Sequence, residues 1–333
     1  MDNLRGISLM VLAMAAFAVE DAFIKAAAHA VPTGQILVTI GAVGGGAFAL
    51  YARSRGVRLF GPVLWSRAVI LRNVTEIFGT LGFVTAITTI PLATASAIAQ
   101  AVPLVITAGA AFIFGETVGW RRWSAVLAGL AGVLIILRPG LSAFDPNTLW
   151  AVLAVVGLAG RDLASRAVPR EVSHLQLATY GLLTAIPSGL LLMPFTGAPV
   201  MPAPPAAGLL ACAIAVGGVA YYAITSATRT GDIAVVTPFR YTRILFALLI
   251  GLAVFGEIPD LATLAGAALI VASGTYTLLR ERARVRAAAH PAPAYPDALS
   301  VIANAKALTA RLPLLRPALS RTRTRPAQKG RTP

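Results

Sequence analysis

The chain has 333 residues, of which 57% are hydrophobic and 12% charged, and its mean hydropathy is +0.77. Soluble domains carry about a quarter charged residues, so this composition argues against a disordered chain or an ordinary soluble enzyme and describes a polytopic membrane protein. The net charge of +15 is uneven: residues 1–280 hold 17 Lys/Arg against 11 Asp/Glu, and residues 281–333 hold 11 against 2. The basicity therefore belongs mostly to a tail and is no argument for nucleic-acid binding by the body.

A helix needs about 20 apolar residues to cross the hydrocarbon core. In chain order the predicted spans are 6–29, 33–52, 65–88, 92–114, 121–138, 147–167, 172–194, 205–228, 232–255 and 260–279. Breakers separate them at Val31-Pro32-Thr33-Gly34, Arg138-Pro139-Gly140, Asp145-Pro146-Asn147 and the Pro-rich stretch from Pro194 to Pro205. The runs are continuous rather than alternating, which excludes a β-barrel. Ala28-His29-Ala30 imitates a signal cleavage site, but Glu20, Asp21 and Lys25 interrupt the apolar region before it, so the first span reads as a retained helix. The Ala/Pro/Arg-rich tail from Glu281 reads as disordered, with an amphipathic surface helix over Ala298–Leu319 as the alternative.

Loop charges set the orientation. With a cytoplasmic N-terminus, Arg5, Arg53, Arg55, Arg58, Arg121, Arg122, Arg170, Arg229 and the residues from Arg280 fall inside. Only Arg138 falls outside, with Lys25 near that end of span one. Both termini are expected in the cytoplasm of a bacterial cell, with the body in its inner membrane.

Phe114-Gly115-Glu116 ends span four and Phe255-Gly256-Glu257 ends span nine, an offset of 141 residues. The same offset carries Asp21 onto Asp162 and Lys25 onto Arg166. Two features agreeing on one register point to a duplicated five-helix unit, over 1–140 and 141–280. Five is odd, so the second copy enters from the opposite side. The loop charges agree, because the loop after Glu116 holds Arg121 and Arg122 while the loop after Glu257 holds Asp260 and no base. The expected fold is all-α, with ten transmembrane helices as two inverted five-helix repeats.

On these residues the chain resembles the EamA-type transporters of the drug/metabolite superfamily, over about residues 6–280. The two Phe-Gly-Glu endings carry the resemblance, each followed by a Gly/Ala-rich helix (Ala125–Leu137 and Leu264–Leu278). The opening Gly6–Lys25 and the segment Thr237-Pro238-Phe239-Arg240-Tyr241 add to it. The resemblance implies transport of a metabolite, such as an amino acid, a vitamin or a nucleoside-like cofactor. It also implies a cavity lined by both repeats, in which spans four and nine matter.

Charges inside spans cost roughly 2.5–3.5 kcal/mol each on insertion scales and usually face the bundle interior. Asp21 and Lys25, Asp162 and Arg166, and Arg72 and Glu76 are i,i+4 neighbours able to neutralise each other within one helix. Glu20 and Arg161 occupy equivalent positions with opposite charge and are expected to pair across the repeats. Glu20, Asp21, Lys25, Arg161, Asp162 and Arg166 are therefore assigned to gating or coupling. Arg240 and Arg243 have no opposite charge in their own span and lie roughly 10–18 Å along it. They are expected either to bind a carboxylate or phosphate or to bridge to Glu76. Tyr241 lies beside them, Pro238 should bend the helix, and the matching stretch of span four carries Gln100 and Pro103. The expected substrate contacts are Arg240, Tyr241, Arg243, Gln100, Glu76 and Arg72.

Glu116 and Glu257 read as structural groups at helix ends. The glycine runs 41–46, 129–132 and 217–218 read as close-packing surfaces. The one cysteine, Cys212, and three scattered histidines hold no metal spacing, and no GxxxxGK[ST] or HExxH pattern is present. No cofactor, metal, nucleic acid or catalytic residue is expected. The expected partners are a small-molecule solute and membrane lipid, with a homodimer allowed. The main functional expectation is a secondary carrier for an anionic or zwitterionic metabolite. The alternatives are a membrane-embedded lipid-modifying enzyme, a lipid-linked solute flippase, and a scaffold acting through its basic tail.

Overall fold

In hydrocarbon a backbone N–H or C=O finds no water, so a chain this apolar must satisfy its own backbone in helices. The computed structural model describes residues 2–169, 171–230 and 233–289. It contains ten helices long and apolar enough to cross a membrane. They are α1 (Asn3–Ala27), α2 (Thr33–Ser54), α3 (Arg67–Thr89), α4 (Leu92–Phe114), α5 (Trp120–Leu137), α6 (Thr148–Ser165), α7 (Leu175–Thr196), α8 (Pro204–Ile224), α9 (Thr237–Phe255) and α10 (Leu261–Arg280). Each matches an expected span to within a few residues. The tail, including Ala298–Leu319, lies outside the described residues.

The duplication is visible in the way helices end and break. Gly115 and Gly256 both terminate their helices in the left-handed region, at φ 65°. Glycine enters that region without a Cβ penalty, which is why it closes helices. The amide of Glu116 donates to the Ala110 carbonyl, and that of Glu257 to the Gly251 carbonyl, the same bond displaced by 141 residues. α4 breaks between Leu92–Ala99 and Val102–Phe114. α9 opens as a 3-10 turn, Thr237–Tyr241, before Thr242–Phe255. The break at Gln100 thus recurs at Tyr241, with Pro103 and Pro238 beside the two breaks as the sequence implies. Proline lacks the amide that a continuous helix would use.

The halves interleave rather than stand side by side. α1 lies along α8, and α3 along α6; under the five-helix offset these are one pairing seen from each half. α2 crosses α7 with backbones almost touching: a Cβ on Gly34 would sit 2.8 Å from the Gly189 carbonyl oxygen. α5 crosses α10 the same way, where a Cβ on Gly132 would lie 2.8 Å from the Gly266 carbonyl and one on Gly266 would lie 2.5 Å from the Gly132 carbonyl. Lipid supplies no hydrophobic drive between helices, so close backbone approach is the main source of attraction. Of the glycine runs expected to pack closely, Gly41, Gly45, Gly129 and Gly132 do so. Gly46 and Gly218 meet nothing within 4 Å, and Gly217 faces a carboxylate instead.

Replacing Gly266 by Ala forces α5 from α10 and is expected to lower unfolding free energy by about 1–3 kcal/mol, the usual cost of overpacking. Gly218→Ala, which meets open space, should leave the thermal midpoint of the detergent-purified protein unchanged.

Candidate functional site

Four helices bring charged side chains into the interior of the bundle. α1 contributes Glu20 and Asp21, α3 contributes Arg72 and Glu76, α6 contributes Arg161 and Asp162, and α9 contributes Arg240 and Arg243. α8 faces these charges with Gly217, and with Tyr221, which lies within electrostatic reach of Arg72.

Asp21 is buried, and its Oδ2 accepts from Arg243 Nη2 at 2.6 Å. The Arg243 guanidinium lies between the rings of Phe17 and Phe83, 5.3 and 4.9 Å from their centroids. An arginine removed from water is held here by one carboxylate and two π-faces. On the other side, Glu76 is shared. Arg72 approaches it at 3.0 Å from one turn away, and Arg161 donates to it at 3.1 Å from α6. Arg161 also donates from Nε to Asp162 at 2.8 Å.

Two members have no such partner among the described residues. The Glu20 carboxylate rests against Gly217 of α8, where an added Cβ would sit 2.5 Å from Oε1. Arg240 is an exposed residue, and its guanidinium makes no hydrogen bond or ion pair among the described residues. Only the Arg240 carbonyl is engaged, accepting from Gln100 Nε2 at 3.3 Å. Asp162, Arg161 and Arg243 lie within electrostatic reach of Arg240. Tyr241 turns the other way: its ring is buried against Gly274 of α10, and its hydroxyl has no partner.

Beyond these charges lie two ion pairs related by the 141-residue offset. Lys25 Nζ meets Glu257 Oε1 at 2.7 Å and donates to the Ile90 carbonyl at 2.6 Å. Glu257 Oε2 also accepts from the Leu92 amide at 2.7 Å. Arg166 Nη1 meets Glu116 Oε1 at 2.7 Å. By chain parity the end of α9 and the end of α4 lie on opposite sides of the bundle. The two pairs differ sharply in exposure, 11% and 14% for Lys25–Glu257 against 46% and 43% for Arg166–Glu116. On the Lys25 side, Arg138 pairs with Asp260, which caps α10 by accepting from the Thr263 amide. Those two donors hold the Asp260 carboxyl down at about 2, so it remains ionised throughout the physiological range.

Several expected pairings are corrected. Asp21 does not pair with Lys25, nor Asp162 with Arg166. In each case a cation one turn along reaches past its own helix to a glutamate that follows a glycine cap. Neither Arg240 nor Arg243 bridges to Glu76, which Arg72 and Arg161 already occupy. Glu20 does not meet Arg161 for the same reason. The Arg72–Glu76 pair forms as expected. Glu116 and Glu257 were read as end groups and are instead interhelical partners. Their signal was present, because Lys25/Arg166 and Glu116/Glu257 share one offset and two inverted copies can exchange partners. Phe17 and Phe83 carried no sequence signal, since aromatic residues inside apolar spans are unremarkable.

Comparison with known proteins agrees with this architecture. The EamA-like transporter family model matches residues 4–138 and 146–279. Relatives include the S-adenosylmethionine uptake transporter of Rickettsia prowazekii, 25% identical over 64% of this chain and 72% of that protein. The riboflavin transporter of Rhizobium johnstonii is 29% identical over 65% of this chain and 71% of that protein. The pseudopaline exporter CntI of Pseudomonas aeruginosa is 30% identical over 80% and 93%. A solved crystal structure superposes with a TM-score of 0.53 at 26% identity, covering 83% of this chain and 97% of that one.

Asp21→Asn strands a largely buried arginine, and breaking such a pair costs about 3–5 kcal/mol. Arg166→Gln removes a solvated pair, worth about 1 kcal/mol or less. Thermal unfolding of the purified protein should therefore rank Asp21→Asn as far more destabilising.

Proposed function

We propose, from the premise that this chain belongs to the EamA-like transporter family, that it is a secondary carrier moving a small anionic or zwitterionic metabolite across a bacterial cytoplasmic membrane. Family membership makes it a transporter, and its relatives are named for carrying S-adenosylmethionine, riboflavin and pseudopaline. The observation that carries the finer reading is Arg240, an exposed residue in the opening turn of α9 whose guanidinium has no protein partner among the described residues. An unpaired cation inside a span is costly unless a solute completes it. Arg240 is assigned the solute's anionic group, with Gln100 bracing its backbone. Arg243, Arg72 and Glu76 shape the surrounding field. Tyr241 is assigned to packing against α10.

The transport cycle follows from the two symmetry-related pairs. Loop charge supports cytoplasmic termini, and with that orientation Lys25–Glu257 lies outside and Arg166–Glu116 inside. Both pairs are formed, and we read them as latches of unequal tightness, the outer one buried and the inner one exposed. Exchanging their environments would alternate access to the interior charges, as inverted repeats permit. Asp21, Glu20, Arg161 and Asp162 lie between the latches.

Counterflow into proteoliposomes tests the carrier reading. Arg240→Gln should weaken solute affinity by roughly 10–100-fold, the worth of a charge-assisted hydrogen bond. Wild-type affinity in that variant contradicts the assignment. In a Cys212→Ala background, Lys25→Gln should raise labelling of a cysteine at Thr89, and Arg166→Gln labelling of one at Ser165. Equal labelling in both variants would remove the latch scheme. Reporters fused after Arg122 and after Pro259 should appear in opposite compartments.

A further inference from the structure

α5 and α10 meet at Gly132 and Gly266, where a Cβ on either would lie within 2.8 Å of the other's carbonyl oxygen. Between that crossing and the start of α5, which is also the end of α10, lies a cleft of about 540 Å³. Ala125 and Ala128 of α5 are too small to fill it, and Leu269 of α10 completes an apolar floor. Trp120, Arg121 and Tyr276 stand at its mouth, and all three are exposed. Gly132 to Trp120 is about 18 Å of helix, and Gly266 to Tyr276 about 15 Å. One leaflet supplies half of a hydrocarbon core about 30 Å thick. The cleft therefore has the depth of a single leaflet, with its polar end at the membrane surface.

Charge distinguishes this end of the two helices from the other. At the far end Arg138 already pairs with Asp260. At the mouth of the cleft the Arg121 guanidinium carbon lies 5.3 Å from the centre of the Trp120 ring, and the side chain makes no ion pair among the described residues. No acid lines the cleft. Arg280 lies one turn beyond Tyr276 on the same face of α10. The 141-residue offset sets Leu261 and Ala262 against Trp120 and Arg121, and sets Ile135 against Tyr276. The repeat thus supplies the glycine crossing from both sides and the cationic, aromatic mouth from one side alone.

We propose that this cleft is a binding site for one anionic phospholipid, its phosphate on Arg121 and one acyl chain along Ala125, Ala128 and Leu269. With cytoplasmic termini the lipid belongs to the inner leaflet. A guanidinium takes two phosphate oxygens at once, a tryptophan anchors at headgroup level, and basic pockets between spans suit acidic headgroups. A zwitterionic headgroup would bring its ammonium to Arg121 and Arg280 with no carboxylate in the cleft to receive it. A lipid that binds the folded chain stabilises it by mass action, here by filling the space beside the glycine crossing. The site is separate from the charges inside the bundle and stands whichever solute is carried.

The test reads tryptophan fluorescence of the full chain in phosphatidylcholine vesicles. Trp65→Phe, Trp123→Phe and Trp150→Phe leave Trp120 as the one tryptophan. The probes are phosphatidylglycerol and phosphatidylcholine, each with dibrominated acyl chains and each at the same mole fraction, since bromine quenches on contact. Trp120 should show an affinity for the brominated phosphatidylglycerol about fivefold or more above that for the phosphatidylcholine, one basic residue at the surface contributing about 1 kcal/mol. Arg121→Gln should remove most of that preference and Arg121→Lys should keep it. Ala128→Phe fills the floor without changing charge and should also remove it. Added phosphatidylglycerol should raise the thermal midpoint of the detergent-purified chain with its four tryptophans intact, and should raise it less in Arg121→Gln and Ala128→Phe, whose lipid-free midpoints report their folding. Equal quenching by the two lipids overturns the proposal. So does a preference that survives Ala128→Phe, which leaves only attraction to the surface. A second copy seated in the cleft also overturns it, and would show as cross-linking between Ser124→Cys chains in a Cys212→Ala background together with protection of Trp120 from both lipids.

Discussion

A charge in hydrocarbon must find a partner, and in this protein the partner usually comes from the other half of the chain. Five ion pairs between different helices are described: Asp21–Arg243, Glu76–Arg161, Lys25–Glu257, Glu116–Arg166 and Arg138–Asp260. Every one joins a residue before position 141 to one after it. Close packing obeys the same rule, with α1 against α8, α3 against α6, and glycine contacts between α2 and α7 and between α5 and α10. Among the described residues only Arg72–Glu76 and Arg161–Asp162 pair within one half, and both share their partners with the other half's charges through Glu76–Arg161. The duplicated unit is a unit of sequence, while the unit of stability is the pair.

This explains what was legible beforehand. Spans are set by length and hydropathy, local quantities that a lipid environment enforces strictly. The glycine caps are local too, and two of them at one offset disclosed the repeat. Partner choice is not local. Lys25 lies one turn from Asp21 on the same face, and helix geometry alone pairs them. The structure instead sends Lys25 to a carboxylate and a backbone carbonyl at the broken entry to α4, where it makes two contacts rather than one. Asp21 is then available to an arginine already flanked by aromatic rings. Gly217 shows the same limit from the other direction. Beside Gly218 it reads as a helix-packing residue, and only the fold reveals that it faces a carboxylate.

Symmetry and its failure divide the charged residues into two sets. The ion pairs at Glu257 and Glu116 repeat, as do the amide bonds behind their glycine caps. The central charges do not, since Arg240 and Arg243 have Ala99 and Val102 as their equivalents and Glu76 has Gly217. Conformational exchange between two equivalent forms asks for equivalent ends. Recognition of an asymmetric molecule asks for an asymmetric middle.

The asymmetry at Gly217 rests on a single missing side chain. A glutamate there would set an acid opposite Glu20 and leave the membrane interior with an excess of negative charge.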